Sequence, residues 1–159
     1  MKQFFRCKYH WQSVYFHFQK WCKDGSWQEV WQNVLSKNKH LLDLSSTQLD
    51  GTHTPTKRGG EAVVYQGRKK AKTSNILILT DNQGIPLTSS DPIAGNHNDA
   101  FNLVPTVQKM ITELEASEIR TDRLFLNADS GLDTEEFRGY CSEVDIEGNI
   151  DQNKRNGAL

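Results

Sequence analysis

The chain has 159 residues, 36% of them hydrophobic and 25% charged, and its formal net charge is −1. This length and composition predict a soluble globular protein with one core of ordinary size. No apolar stretch approaches the roughly 18 to 20 residues that cross a bilayer, which disfavours a membrane protein. The N-terminus lacks a signal-peptide apolar region, which disfavours a secreted protein. The cysteines are odd in number, which disfavours a disulfide framework: Cys7, Cys22 and Cys141.

The first 40 residues have the apolar spacing of two helices joined by a turn at Asp24 and Gly25. Apolar residues three and four positions apart line one face of the first helix: Trp11, Val14, Tyr15, Phe18, Trp21 and Cys22. Ser26 and Glu29 predict a capping box that starts the second helix. The aromatic rings of this helical hairpin are expected to be core, whereas its lysines are candidate contacts to DNA phosphates.

From residue 44 the pattern changes to that of strands, which defines a second expected unit over residues 41–159. Strands are predicted at 44–52, 75–80, 85–89, 124–128 and 144–150, with a short edge hairpin or a loop at 61–67. The short turn at 81–84 makes the second and third strands an antiparallel hairpin. A helix with Pro105 in its first turn precedes the fourth strand, and a helix capped by Asp133 and Glu136 follows it.

Asp50 and Asp129 each close a strand-like segment and run into a turn that contains glycine. A strand buried in a sheet holds a carboxylate rigidly, and two such carboxylates repel each other unless divalent cations neutralise them. The pair therefore predicts a Mg²⁺ site of the kind used in phosphoryl transfer. The alternative is structural, because an aspartate after a strand also forms turns or caps helices, and Ser130-Gly131 follows Asp129.

The charges are unevenly divided along the chain. Residues 1–72 carry 13 Lys or Arg and 5 Asp or Glu, whereas residues 73–159 carry 6 and 15. A basic half that also holds all four tryptophans indicates a polyanionic partner such as DNA. The candidate phosphate contacts are Lys57, Arg58, Arg68, Lys69, Lys70 and Lys72. The alternative for these six residues is a solvated turn.

After the hairpin the predicted order is strand, strand, strand, helix, strand, helix, strand, with acidic residues on the first and fourth strands. This succession is that of an α/β protein with a ribonuclease-H-like mixed sheet. Six segments resemble insertion-sequence transposases of the DDE class, in the IS-four and IS-five grouping: residues 14–25, 49–53, 67–72, 78–87, 95–99 and 127–133. The resemblance covers nearly the whole chain.

The resemblance implies an enzyme that cuts double-stranded DNA at the ends of a mobile element and joins it to a new site. Two Mg²⁺ ions, for which Mn²⁺ substitutes, would be held by three carboxylates, and Asp50 and Asp129 match the first two. The third, a glutamate on a helix beyond the fifth strand, has no match, and Glu143, Glu147 and Asp151 are set aside. A chain truncated at both ends and inactive alone is therefore expected.

Further expectations follow from the same resemblance. It implies a bacterial, cytoplasmic, nucleoid-associated protein that works as a homodimer on paired DNA ends, with no membrane partner and no small-molecule substrate. His97 and Asp99 either border the site or, in the case of Asp99, cap the following helix. Two other functions stay open: a non-catalytic DNA-binding remnant, and a nuclease or resolvase on the same fold that cuts without joining.

Overall fold

The computed structural model describes residues 9–56, 60 and 62–154. The helices in this part of the chain are α1 (Trp11–Lys23), α2 (Ser26–Asn38), α3 (Leu103–Ala116) and α4 (Glu135–Glu143), with short 3-10 turns at Lys39–Leu41 and Ser130–Leu132. The strands are β1 (Thr47–Pro55), β2 (Val64–Gln66), β3 (Ala71–Thr80), β4 (Pro86–Ser89), β5 (Ile93–Ala94), β6 (Phe125–Ala128) and β7 (Glu147–Ile150). None of the helices among these residues has the length and apolar character needed to span a bilayer.

The strands form one mixed sheet in the order β2-β3-β1-β6-β7, and β4 and β5 also pair with β3. β1 is antiparallel to β3 and parallel to β6, and β6 is parallel to β7. β2, β5 and β4 pair with successive parts of β3, at Thr73, Ser74 and Ile78, so they share one edge of the sheet. The predicted α/β class and the antiparallel hairpin of β3 and β4 are confirmed, and the sheet is consistent with a ribonuclease-H-like fold.

One face of the sheet is buried beneath α3 and α4. Leu49 in β1, Leu77 and Leu79 in β3 and Leu126 in β6 are each at most 3% exposed. They share one core with the apolar faces of the two helices, which include Val107, Met110, Leu114 and Phe137. Burial of each leucine is worth roughly 1.5 to 3 kcal/mol. Because side chains alternate along a strand, the residues between these leucines face away from the core.

The predicted helical hairpin forms, but its aromatic rings are exposed, so the expectation that they are core is wrong. No residue of α1 is buried, and in α2 only Leu35 is buried. Trp31 Nε1 donates a hydrogen bond of 2.9 Å to the carbonyl oxygen of Leu87, which attaches α2 to β4. The rings of Phe18 and Trp27 pack edge to face instead, with centroids 5.9 Å apart. The proposed boundary between residues 1–40 and 41–159 stays a prediction.

The capping box predicted at the start of α2 is absent. The N-cap is Gly25, whose φ of 80° is a left-handed conformation that favours glycine, and it makes no side-chain cap. Asp24 takes the role instead, because its Oδ1 accepts the backbone N–H of Ser26 at 3.1 Å and the Ser26 hydroxyl at 2.6 Å. Ser26 is already the first residue of α2, one position beyond the N-cap, so it does not hold the position from which the sequence pattern expected it to cap the helix.

The cap of α4 is Thr134 rather than the predicted Asp133. Thr134 Oγ1 accepts the backbone N–H of Phe137 at 3.1 Å. Asp133 binds other partners: it accepts the backbone N–H of Asn153 at 2.6 Å and Nε of Arg138 at 2.7 Å. The Asn153 N–H first, and the Arg138 guanidinium second, hold the pKa of Asp133 below its usual range. This carboxylate therefore ties the start of α4 to the segment that follows β7.

β1 begins three residues later than predicted because the preceding segment forms a turn. Asp43 Oδ1 accepts the backbone N–H and the hydroxyl of Ser45, at 3.1 and 2.6 Å. The fully buried Asp81 fixes the turn, because its carboxylate accepts backbone N–H groups from Asp43, Gln83 and Ile85 at 2.8 to 3.0 Å. One carboxylate thus joins the entry to β1 to the turn between β3 and β4.

Candidate functional site

Asp50 lies inside β1, opposite Ile78 of β3. Its neighbour Leu49 is buried, so the alternation of side chains turns Asp50 to the face of the sheet opposite the core. The carboxylate is exposed, and its Oδ1 accepts the backbone N–H of Gly51 at 2.8 Å. The strand therefore fixes the backbone of Asp50 while its side chain stays open to a ligand.

Asp129 follows β6 directly and is also exposed. Its Oδ1 accepts the backbone N–H of Gly131 at 2.9 Å and caps the short turn at Ser130–Leu132. Asp129 Oδ1 therefore has the turn-forming role that the sequence offered as the structural alternative. The other oxygen, Oδ2, accepts no hydrogen bond from the described residues, so the structural role leaves part of the carboxylate available to a ligand.

The two aspartates line the same groove, on neighbouring parallel strands. Asp129 follows the last residue of β6, but Asp50 lies within β1, so the expectation that Asp50 closes its strand and enters a turn is wrong. Leu49, Ala128 and Ile150 stand in register across β1, β6 and β7. One residue further on, the three strands present Asp50, Asp129 and Asp151, and all three line a groove of about 300 Å³. Adjacent strands are roughly 4.8 Å apart, so the aspartates form a row across the sheet.

Asp151 is the member of this row that the sequence analysis set aside. It follows β7 as Asp129 follows β6, and its backbone N–H donates to the carbonyl oxygen of Ala128 at 3.1 Å. The signal was present in the sequence, because Asp129 and Asp151 each follow a predicted strand directly. What the sequence could not provide was the parallel register that makes the two positions neighbours.

A row of amides lies on the same face, two residues before the aspartates. Gln48, Asn127 and Asn149 stand in register and line the same groove. Asn149 Nδ2 donates to Asn127 Oδ1 at 2.7 Å, and Asn127 Nδ2 donates to Ser46 Oγ at 2.7 Å. These bonds hold the amides in fixed orientations. The groove therefore has an uncharged polar floor beside its acidic rim, a feature that the sequence analysis missed.

The oxygen ligands of this groove suit a hard divalent cation. Mg²⁺ prefers carboxylate oxygens and usually binds through one or two of them, together with water and substrate phosphates, rather than in a cage made by the protein alone. Among residues 9–56, 60 and 62–154, no three His, Cys, Asp or Glu side chains converge closely enough to hold an ion by themselves. The groove thus fits the partial Mg²⁺ site typical of phosphoryl transfer and not a closed structural metal site.

His97 and Asp99 lie in the loop before α3, and Asp99 is on the core side of the sheet. The N-cap of α3 is Asn102, so the capping role considered for Asp99 is wrong. Asp99 Oδ1 instead accepts Nδ2 of Asn75 at 2.7 Å. The ring of His97 stacks on Phe101 with centroids 3.7 Å apart. Neither residue lines the groove of the three aspartates.

Four of the six candidate DNA contacts surround the turn between β2 and β3. Arg68, Lys69, Lys70 and Lys72 are all exposed. Gln66 Oε1 orders the turn by accepting the backbone N–H groups of Arg68 and Lys69, at 2.6 and 3.2 Å. β3 begins at Ala71 rather than at the predicted residue 75, because β2 pairs with it there.

The basic turn and Asp50 are on the same sheet but far apart. Lys72 belongs to β3, six residues before Ile78, which pairs with Asp50. At about 3.3 Å per residue the separation is roughly 20 Å, and an even number of residues places both side chains on one face. Lys57 and Arg58, the other two candidates, lie outside the described residues.

Comparison with known proteins supports the fold. No protein-family model and no curated protein sequence matches the chain. Solved structures do resemble it. The piggyBac transposase synaptic complex with hairpin DNA has a TM-score of 0.51 and 13% identity over 72% of this chain and 24% of that chain. The simian T-cell lymphotropic virus intasome in complex with PP2A regulatory subunit B56 gamma has a TM-score of 0.46 and 15% identity over 70% of this chain and 33% of that chain.

The piggyBac likeness shows that the chain has a transposase-like fold. At 13% identity it does not extend to substrate or chemistry. The chain also spans only about a quarter to a third of the length of the two proteins that it matches. The assignment to the IS-four and IS-five grouping has no support from either likeness and stays a prediction.

Proposed function

We propose that this chain is part of a DNA transposase of the DDE class, in the IS-four and IS-five grouping, and that Asp50 and Asp129 bind its catalytic Mg²⁺ ions. The observation that carries the proposal is their position: they lie at neighbouring positions of adjacent parallel strands, one residue beyond the paired Leu49 and Ala128, and line one groove. Two carboxylates at this separation favour a shared divalent cation, because their mutual repulsion is then relieved. Mn²⁺, which accepts the same ligands, would substitute for Mg²⁺.

The residues of the groove have different roles in the proposed reaction. Bound divalent ions would supply a nucleophile of lowered pKa and stabilise the leaving oxygen across the scissile phosphate. Asp50 and Asp129 bind the ions, and the backbone N–H groups of Gly51 and Gly131 orient the two carboxylates. Asp151 adds a third carboxylate to the rim. The amide floor offers hydrogen bonds to the nucleotide beside the scissile bond without adding charge.

The basic turn would bind the DNA backbone on the same face. Lys72 presents a cation about 20 Å from Asp50, which corresponds to roughly six nucleotides at 3.4 Å per nucleotide along one strand, and Arg68, Lys69 and Lys70 precede it in the same turn. Contacts of this kind position DNA without reading its sequence. A homodimer that holds two DNA ends is part of the proposal and rests on the family resemblance alone.

Metal binding is tested first because it requires no knowledge of the DNA sequence. Mn²⁺ is titrated into the ¹⁵N-labelled full chain, and paramagnetic broadening of the backbone amides is followed by NMR. The amides of Gly51 and Gly131 should broaden first, and Asp50→Asn or Asp129→Asn should weaken binding more than 10-fold. Asp91→Asn is the matched control, since Asp91 is an exposed carboxylate paired with Lys109. Equal weakening in the control, or none in either groove variant, refutes the proposed site.

Chemistry is tested by incubating the full chain with Mg²⁺ or Mn²⁺ and duplexes taken from the DNA that flanks its coding sequence. Denaturing gels separate strand cleavage from joined products. Cleavage and joining that both require Asp50 support a transposase. Cleavage without joining supports the nuclease alternative.

A non-catalytic DNA-binding protein is the second candidate function. It is favoured by one observation, that no three metal-binding side chains converge among the described residues. It predicts DNA binding that depends on salt and is unchanged when EDTA removes divalent ions. Loss of binding in EDTA, or metal-dependent cutting, argues against it.

A further inference from the structure

The carboxylate of Asp99 lies directly behind the residue that follows Asp50. A methyl group added to Gly51 would overlap Asp99 Oδ1 and lie 2.5 Å from its Cγ, far inside van der Waals contact. The φ angle of Gly51 is not in the left-handed region, so space and not backbone conformation requires glycine here. Asp50 and Asp99 therefore face opposite sides of β1, with one glycine between them.

Asn75 holds this carboxylate in place and is itself incompletely bonded. It is fully buried in β3, and its Nδ2 donates to Asp99 Oδ1 at 2.7 Å. Its Oδ1 is the one buried side-chain N or O atom among the described residues that lacks a hydrogen-bond partner. Rotation of the amide would only bring two oxygens together, so Asp99 determines its orientation. A buried unpaired carbonyl reduces stability, so the contact between Asn75 and Asp99 carries a cost in the folded chain.

The loop that carries Asp99 is attached to β3 at a second point. Gly95 packs so closely on Thr73 that a methyl group at position 95 would overlap the Thr73 backbone carbonyl. Thr73 is fully buried, and its hydroxyl lies 3.4 Å from Nδ1 of His53 on β1. Two close contacts, at Gly95 and at Asp99, thus fix the loop against both strands.

We propose that Asp99 is a positioning residue for Asp50. Asp99 occupies the space on the core side of Gly51, and the Gly51 backbone N–H in turn donates to Asp50 Oδ1 at 2.8 Å. Displacement of Gly51 would therefore move the donor that orients the metal-binding carboxylate. Asn75 acts one step further away by orienting Asp99. This inference rests on the proposed function, because it assigns Asp99 a role through the Mn²⁺ or Mg²⁺ site at Asp50.

The test compares metal affinity with stability in the full chain, using Mn²⁺ titration by NMR and thermal unfolding by circular dichroism. Asp99→Ala should weaken Mn²⁺ binding about 10-fold, as expected for a residue that orients a metal ligand. Asp99→Asn keeps the shape and an oxygen for Asn75, so it should restore most of the affinity. The double variant Asn75→Leu, Asp99→Ala removes both polar groups, so it should unfold at a temperature no lower than Asp99→Ala but bind Mn²⁺ as weakly.

Val107→Ala is the matched control. Val107 is buried in α3, and truncation lowers stability without touching Gly51. At a temperature where every variant is folded, the control should bind Mn²⁺ as the unmodified chain does. Recovery of affinity in the double variant, or affinity in Asp99→Ala within 2-fold of the unmodified chain, overturns the positioning role. If Asp50→Asn itself leaves Mn²⁺ binding unchanged, the proposed metal site fails first, and the two failures are thereby distinguished.

Discussion

Replacement of the four cationic side chains of the basic turn, Arg68, Lys69, Lys70 and Lys72, should reduce the salt dependence of DNA binding by a predictable amount. Each lysine or arginine that neutralises a phosphate releases counterions, and it contributes about 0.9 to the slope of log K against log salt concentration. Arg68, Lys69, Lys70 and Lys72 are all exposed, so each is free to reach a phosphate. Lys72→Ala should therefore flatten the slope by about 0.9, and replacement of all four by alanine should flatten it by up to about 3.6.

These slopes correspond to measurable differences in affinity. For each protein, the DNA affinity at 50 mM salt is divided by the affinity at 200 mM salt. A slope change of about 0.9 alters this ratio by about 3-fold, and a change of about 3.6 alters it by roughly 150-fold. Fluorescence anisotropy with a labelled 30-base-pair duplex at several KCl concentrations gives the slope directly. Because phosphate contacts carry no sequence information, unrelated duplexes should give the same change.

The control is a lysine of the same charge on the other side of the protein. Lys109 lies on α3, which covers the opposite face of the sheet, and it is paired with Asp91 at 2.6 Å. Lys109→Ala should leave the slope unchanged. The assignment of DNA contacts to the basic turn is refuted if Lys109→Ala has the same effect as Lys72→Ala, or if the fourfold variant keeps the original slope. In the second case the lysines of the helical hairpin become the leading candidates.

Three further predictions concern stability and reactivity. Asp81→Asn should lower the free energy of unfolding in urea by about 1 to 3 kcal/mol, because its amide group would face a backbone N–H donor; an unchanged midpoint contradicts this. The pKa of Asp133 is lowered in the folded chain, so its carboxylate stabilises the fold above the unfolded pKa of about 3.9, and this stabilisation is lost as pH falls through the folded pKa. Asp133→Asn should therefore reduce the loss of Tm on the acid side of a plot of Tm against pH. Burial raises the pKa of the Cys141 thiol, so in a Cys7→Ser background iodoacetamide should label the exposed Cys22 first, as mass spectrometry of the peptides would show.

The strands and helices with strong periodicity were predictable, and the features that depend on competition between hydrogen bonds were not. The strand expected at 75–80 lies within β3, and the helix expected to hold Pro105 in its first turn is α3. The helix caps were assigned one or two residues away from their true positions, because Asp24 and Thr134, and not Ser26 and Asp133, accept backbone N–H groups in the first turns of α2 and α4. Sequence spacing identifies a capable side chain but does not decide among adjacent ones.

Exposure of the hairpin rings was missed for a different reason. Periodicity shows that Trp11, Phe18 and Trp21 share one helix face, but it does not show whether anything covers that face. In the described residues nothing buries them, since all three are at least 45% exposed. Amphipathic spacing is therefore sufficient to predict a helix and insufficient to predict its burial.

The candidate site could be predicted in part because the position of Asp50 follows from the burial of its neighbour. Side chains along a strand alternate with a period of two, so a buried Leu49 requires Asp50 to face outwards and Gly51 to face the core. A one-residue shift in strand register would bury the Asp50 carboxylate and expose Leu49. The free-energy cost of burying an unpaired carboxylate excludes that register. The role of Asp151 could not be reached in this way, because it depends on which strands are neighbours. Core packing thus determines the face of the sheet on which each carboxylate lies, and only the parallel register of β1, β6 and β7 brings Asp50, Asp129 and Asp151 to one groove.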